Sequence, residues 1–200
     1  MYRFIETIKL RNGVFFRLNF HQERVNNAFA SFFPNDQPIC VDEILHQATF
    51  PTDGLYKCRI VYDSKLQLLE FVPYTRKEIR TLKLIETTLE SHAFKSENRT
   101  EFNTAFSLKG NCDDVLLVRN GLLTDTSYCN IALFDGEKWF TPKVPLLYGV
   151  NRADLIEKAI IHEKDIRVED LKHFQQITLF NAMIEFGELM VNVSDVVLMH

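Results

Sequence analysis

The chain has no excess of basic residues: 23 Lys and Arg stand against 27 Asp and Glu, a formal net charge of −4. The basic residues are scattered, and no aromatic–basic run suggests a single-strand groove. A nucleic-acid partner is not expected, because a phosphate backbone calls for a basic footprint. Cysteine is scarce: Cys40, Cys58, Cys112 and Cys129 form no CxxC pair and have no histidine cluster at zinc spacing. No structural metal is therefore expected, and each cysteine reads as a small core residue. The N-terminus MYRFIETIKLRNG lacks a basic region followed by an apolar stretch, so no secretory signal is expected. No apolar run approaches the ~20 residues that span a bilayer, which argues against a membrane partner. The cytoplasm, with reduced thiols, is the default address. No internal repeat or low-complexity segment points to a solenoid.

What is present is enough apolar material, 46% of 200 residues, to bury a core without disulfides or metals. Arg3 to Leu10 reads as a strand, and Asn12-Gly13 is a two-residue hairpin signal before the next apolar run. In HQERVNNAFASFF, Val25, Ala28, Phe29 and Phe32 recur at helical spacing, and Pro34 follows. Val41 to Thr49 suggests a second short helix. Leu55 to Tyr62 and Leu66 to Val72 alternate like paired strands about a turn at Asp63-Ser64. The first half is thus α+β, an antiparallel sheet with helices on one side. The polar stretch 73–80 marks a passage to a second lobe. There, Leu82 to Ile85 and Asp114 to Arg119 read as strands, and Asn98 to Phe106 reads as a helix. Asn120-Gly121 turns into LLTD, and Asp135-Gly136 joins strands at 130–134 and 138–141. A helix is expected from Asn151 to about Ile161, and closing strands near 177–180 and 189–193. The second half reads as a β-rich lobe with two or three helices.

Four local features carry chemistry. Lys95, in Phe94-Lys95-Ser96-Glu97-Asn98-Arg99, is either a solvated charge or a Schiff-base lysine, whose amine condenses with an aldehyde and then shuttles protons. The second role calls for a desolvated or cationic setting. Lys57, on a strand, is its rival. Asp125, in Thr124-Asp125-Thr126-Ser127, is either an Asx turn or the carboxylate partner of a pyridinium nitrogen. Leu147-Tyr148-Gly149-Val150-Asn151-Arg152 leads a helix with glycine. It is either an ordinary terminus capped by Asn151 or a phosphate cup of free N–H groups. Arg24, in His21-Gln22-Glu23-Arg24, is either a surface residue or a fork for phosphate, and His21 either packs the helix or meets a ligand.

In their order along the chain these segments resemble the class IV aminotransferase family. Phe4-Ile5-Glu6-Thr7 is similar to its FET-type strand, and a hairpin and an HxxR helix follow. KSENR is similar to its KxxNR lysine segment, and DDVLLVRNGLLTDTSYCN to its D-E-V-L-L, N-G and T-E-G-S-S-S-N pair of strands. YGVNR is similar to its P-G-I-T-R helix start, and Phe180-Asn181-Ala182 to its closing T-T or N-A segment. The resemblance spans residues 3 to 184. It implies an α+β, two-lobed fold type IV pyridoxal-phosphate enzyme, like the D-amino acid aminotransferases. Lobes at 1–80 and 81–200, a cofactor cleft between them and a homodimer are expected with it.

By the same resemblance, Lys95 is the Schiff-base lysine and Arg24 a phosphate ligand. Val150 and Asn151 supply helix-start N–H groups, Asn181 with Ala182 a second phosphate contact, and Asp125 stands where the family has Glu. Thr126 replaces the Gly after that acid, and Ser127-Tyr128-Cys129 the Ser-rich run. The family's N-terminal segment, with its aspartate-rich turn and substrate-side tyrosine, has no counterpart, so a short, N-terminally truncated member is expected. Substrate contacts are then expected from elsewhere. Arg59, which alternates with Lys57 on one strand face, is the candidate for a substrate carboxylate. The substrate is a small amino compound. Phe180-Asn181-Ala182-Met183 and KSENR are more similar to the lyases of the family than to its aminotransferases. An aminodeoxychorismate lyase is therefore expected ahead of a D- or branched-chain aminotransferase, and a non-catalytic cofactor binder is the third alternative.

Overall fold

Residues 2–198 are described in a computed structural model of the chain. They fall into two units: Met1–Arg76 with Ala93–Asn98, and Lys77–His92 with Arg99–His200.

The first unit is built on an antiparallel sheet of four strands: β1 (Phe4–Arg11), β2 (Val14–Phe15), β3 (Leu55–Tyr62) and β4 (Leu66–Pro73), in the order β2-β1-β3-β4. Both residues of the first turn lie in left-handed backbone, Asn12 at φ 49° and Gly13 at φ 78°, which is the conformation a tight hairpin needs. Alternation then sorts the side chains. Phe4, Ile8, Cys58, Ile60 and Tyr62 form a core with Val25, Ala28 and Phe29 of α1 (Leu18–Phe32) and Val41 and Leu45 of α2 (Val41–His46). One position on that face breaks the apolar pattern: Glu6, fully buried. The other face carries Thr7 opposite Arg59 and Lys9 opposite Lys57.

The helix α1 begins three residues before His21, after Arg17 in left-handed backbone at φ 59° and without a side-chain cap. No Ser, Thr, Asp or Asn signal marks that start, so the sequence pattern placed it late. The expected boundary at 80/81 is shifted as well. Ala93–Asn98, expected in the second lobe, belongs to the first unit. Ile5 N–H donates to Lys95 O at 2.9 Å, Glu97 N–H donates to Arg3 O at 2.9 Å, and Phe4 bridges Ser96. Phe94 adds its ring edge-on to Phe4 and Phe32. These long-range bonds dock Lys95 against the start of β1.

The second unit holds two sheets. One has the order β13-β5-β6-β7, from β5 (Leu82–Glu86), β6 (Asp114–Arg119), β7 (Leu122–Thr126) and β13 (Val196–Val197). The other has the order β10-β9-β8-β11-β12. Its strands are β8 (Asn130–Phe134), β9 (Trp139–Pro142), β10 (His162–Lys164), β11 (Gln176–Phe180) and β12 (Met190–Asn192). Two α-helices accompany them, α3 (Thr100–Ser107) and α4 (Val150–Glu157). The last helix stops four residues short of Ile161. Ala159 takes left-handed backbone at φ 55°, while Ala159 N–H bonds Ile156 O and Ile160 N–H bonds Leu155 O, a Schellman closure. Glycine usually fills that position, and its absence hid the stop. The short strands β10 and β13 pair in parallel with β9 and β5 and were not expected.

Three of the four cysteines are buried and all are free thiols. Among the described residues no cluster of three metal-binding side chains occurs, and no helix is long and apolar enough to cross a membrane.

Candidate active site

In the first unit, Lys95 lies beside β1, and its Nζ donates to Thr7 Oγ1 at 3.1 Å. Thr7 points to the sheet face away from the apolar core, as do Lys9, Lys57 and Arg59. The charge of the lysine is felt at His21. It is one of the influences that lower the His21 pKa, after burial, the largest, and alongside Arg24.

Arg24 is buried and not a surface residue. Its Nε donates to Glu6 Oε1 at 2.9 Å and its Nη2 to Glu6 Oε2 at 2.5 Å, a two-pronged fork that leaves Nη1 outside. His21 Nδ1 donates to the same Oε2 at 2.5 Å. Burial by itself would raise the Glu6 carboxyl, but the Arg24 charge and the His21 bond outweigh it and hold the pKa at about 2. His21 is pushed the other way: burial favours its neutral ring despite Glu6. Glu6 stands in the FET-type strand motif, which by itself assigns it no role. Its signal was a charge on the apolar face of an alternating strand.

Arg59 is held by two carboxylates, Glu70 at 2.9 Å and Glu97 at 3.0 Å. A substrate carboxylate there would share the guanidinium with both. Lys57 lies opposite Lys9, two residues along β1 from Thr7.

In the second unit, a bulge separates the pairs Leu116–Thr126 and Val118–Leu123. Such a bulge breaks alternation and re-aims side chains, and here Leu123 through Ser127 are all buried. Asp125 Oδ1 accepts from Asn130 Nδ2 and Oδ2 from the Leu147 N–H, each at 2.9 Å. Among the described residues no cation forms an ion pair with it. Burial therefore dominates and lifts its pKa to about 6, against the hydrogen bonds from Asn130 and the 146–147 backbone and the distant charge of Arg152. An Asx turn bonds its own neighbours, whereas this carboxylate reaches across to the segment before α4.

Gly149 is the residue before α4, in extended backbone, and supplies no side-chain cap. The first N–H groups of that helix, from Val150 and Asn151, lack the usual capping oxygen. Asn151 is inside the helix and does not cap it. Its Nδ2 donates to Asn181 O at 2.9 Å and Ile184 O at 3.0 Å, while its buried Oδ1 has no partner. This side chain ties the start of α4 to the turn after β11, so Val150, Asn151, Asn181 and Ala182 are brought together. Asn181 is committed to that turn: its N–H bonds Ile184 O, and its Oδ1 accepts from Met183 and Ile184. Ala182 carries an N–H outside these bonds. Two further residues that sequence reading left without a role, Asn130 and Leu147, set the Asp125 carboxylate.

These donor sets fit a phosphorylated pyridine. A buried carboxylate without a cation suits a protonated ring nitrogen, and uncapped helix N–H groups suit a phosphate. The chain matches the family described as Amino-transferase class IV over residues 3–188. It is 31% identical to an uncharacterized protein of Haemophilus influenzae over 186 residues, covering 92% of this chain and 98% of the relative. A Haemophilus somnus crystal structure, named as a proposed 4-amino-4-deoxychorismate lyase, superposes with a TM-score of 0.86. It is 32% identical and covers 92% of this chain and 98% of its own. A proposed aminodeoxychorismate lyase of Schizosaccharomyces pombe is 36% identical over 75 residues, 34% of this chain and 32% of the relative. The chain belongs to the class IV aminotransferase family, the fold type IV pyridoxal-phosphate enzymes whose members are aminotransferases and lyases.

Proposed function

We propose that this enzyme is an aminodeoxychorismate lyase, which releases pyruvate and 4-aminobenzoate for folate biosynthesis and acts as a cytoplasmic homodimer. The observation that carries the chemistry is Asp125, a buried carboxylate in the second unit with ordered hydrogen bonds and, among the described residues, no ion-pair partner.

Lys95 is the residue that would hold the cofactor covalently and then serve as proton carrier, with Thr7 Oγ1 fixing its Nζ. In the first unit Arg24, through Nη1, would be a phosphate ligand; in the second unit the N–H groups of Val150, Asn151 and Ala182 would be phosphate donors, beside the turn that Asn181 shapes. Asp125 would keep the ring nitrogen protonated. Bound by these residues, pyridoxal phosphate supplies the electron sink for a carbanion at the amine-bearing carbon. Once the substrate amine has displaced it, Lys95 Nζ would carry the proton from that carbon. In a lyase the ring C–O bond at the β-carbon would then break. Enolpyruvate would leave and take up a proton to become pyruvate, and the ring, having lost the proton and that substituent, would be aromatic.

The lyase reading is supported by Phe180-Asn181-Ala182-Met183 and by the names of the Haemophilus somnus and Schizosaccharomyces pombe relatives. An aminotransferase of D- or branched-chain amino acids is the second reading, favoured by the same Lys95 and Asp125, which serve both chemistries. The deciding assay supplies 4-amino-4-deoxychorismate to the purified yellow protein. Equal amounts of pyruvate and 4-aminobenzoate are expected. Amino exchange between D-alanine or leucine and a keto acid, with no pyruvate from the first substrate, would replace the lyase with the aminotransferase. Absence of both activities in cofactor-loaded protein would mark a non-catalytic binder.

A further inference from the structure

We propose that Glu6 is a positioning residue for cofactor binding: its carboxylate aims the Arg24 guanidinium at the phosphate, and His21 holds that carboxylate in place. The inference rests on the reading of Arg24 as a phosphate ligand and goes one residue beyond it.

A carboxylate buried on the apolar face of a strand is costly and persists only where its bonds are complete. Glu6 is fully buried between Phe4 and Ile8, the two core positions that flank it on that face. Its two oxygens take three donors: Arg24 Nε, Arg24 Nη2 and His21 Nδ1. The guanidinium is planar and its donors are rigidly placed. Pinning Nε and Nη2 in one fork therefore fixes the direction of the remaining arm, Nη1. Without the fork, a long side chain has several rotamers to lose on binding an anion. His21 and Arg24 are three residues apart on α1, so they share a helix face and meet Glu6 together. Burial keeps His21 neutral, so the pair Glu6–Arg24 carries no net charge. An anion meeting Nη1 gains an oriented donor more than a bare positive charge.

That balance gives a test by sign. Glu6→Gln removes a negative charge near the phosphate, so electrostatics alone predicts tighter anion binding. A carboxamide has a single acceptor oxygen and cannot complete the fork, so positioning predicts weaker binding. The measured quantity is the ratio of pyridoxal phosphate to pyridoxal affinity, from absorbance titrations of the full chain stripped of cofactor. This ratio isolates the phosphate grip and ignores general loss of structure. Arg24→Ala should lower it about tenfold or more. Glu6→Gln should lower it in the same direction by about tenfold, with little added effect in the Arg24→Ala background. If Arg24→Ala leaves the ratio unchanged, the phosphate reading itself fails. If Arg24→Ala lowers the ratio while Glu6→Gln leaves it alone or raises it, the positioning role of Glu6 is overturned and the phosphate reading stands. Should Glu6→Gln not fold, His21→Leu removes one of the three donors. It should lower the ratio about threefold, and an unchanged ratio there overturns the inference equally.

Discussion

The side chain of Asn130 occupies the space that any side chain at residue 149 would need: a Cβ on Gly149 would lie 2.0 Å from Asn130 Oδ1. The same Asn130 donates to Asp125 and to Leu147 O, so a glycine before α4 and an acid on β7 are linked through one amide. Gly149 has an ordinary extended conformation, and its requirement here is one of space alone.

Gly149→Ala should therefore act on Asp125 through Asn130. Displacing the amide should destabilise the protein by about 1–3 kcal/mol, the usual scale of overpacking. Denaturant unfolding measures it. The double variant Asn130→Ala/Gly149→Ala should recover part of that loss, because the clash is gone. A single variant as stable as the parent would show that Asn130 relocates freely.

Asp125 should leave a mark on the pH dependence of stability in the cofactor-free protein. Its folded pKa is raised from 3.8 to about 6, so the folded state binds more protons than the unfolded state between those values. Stability then falls as pH rises through that window. The penalty present at pH 7 is on the order of 3 kcal/mol. Asp125→Asn should abolish this slope whatever its stability at one pH, and thermal melts from pH 4 to pH 7 would reveal it. In the loaded enzyme the same variant should bind the cofactor with little change, while proton abstraction slows strongly, the pattern of a transition-state effect.

Lys95 should be the residue that carries the cofactor. Borohydride reduction and peptide mapping should find the added pyridoxyl mass on Lys95, and Lys95→Ala should fold yet lose activity by orders of magnitude. Mass on Lys57 would reassign the site.

Arg59 should prove structural. Replacing it by Ala should cost at most about 1 kcal/mol, since its pairs with Glu70 and Glu97 are partly solvated. The KM for a carboxylate substrate should stay within a few-fold of the parent. A large rise in KM at constant kcat would return Arg59 to substrate recognition.

By itself the sequence determined whatever a few neighbouring residues settle. Asn12-Gly13 and Asn120-Gly121 both turn with positive φ at both residues, because their short or absent side chains tolerate left-handed backbone. Val25, Ala28 and Phe29 face the core because 3.6 residues make a helical turn. The order of the motifs was legible too, and with it the family. The tertiary structure decided what depends on distant partners. It placed Lys95 with the first unit through the bonds from Ile5 N–H to Lys95 O and from Glu97 N–H to Arg3 O, and it gave Glu6 its two partners on α1. It made strands of His162–Lys164 and Val196–Val197, which have too few residues to show a period and exist through pairing with β9 and β5. It also turned Asp125 toward Leu147 by a bulge, against the two-residue alternation that a sequence displays. Periodicity and turn chemistry act over a handful of residues. The fit of Asn130 against Gly149 is set by the register of segments far apart in the chain, and only the folded backbone fixes that register.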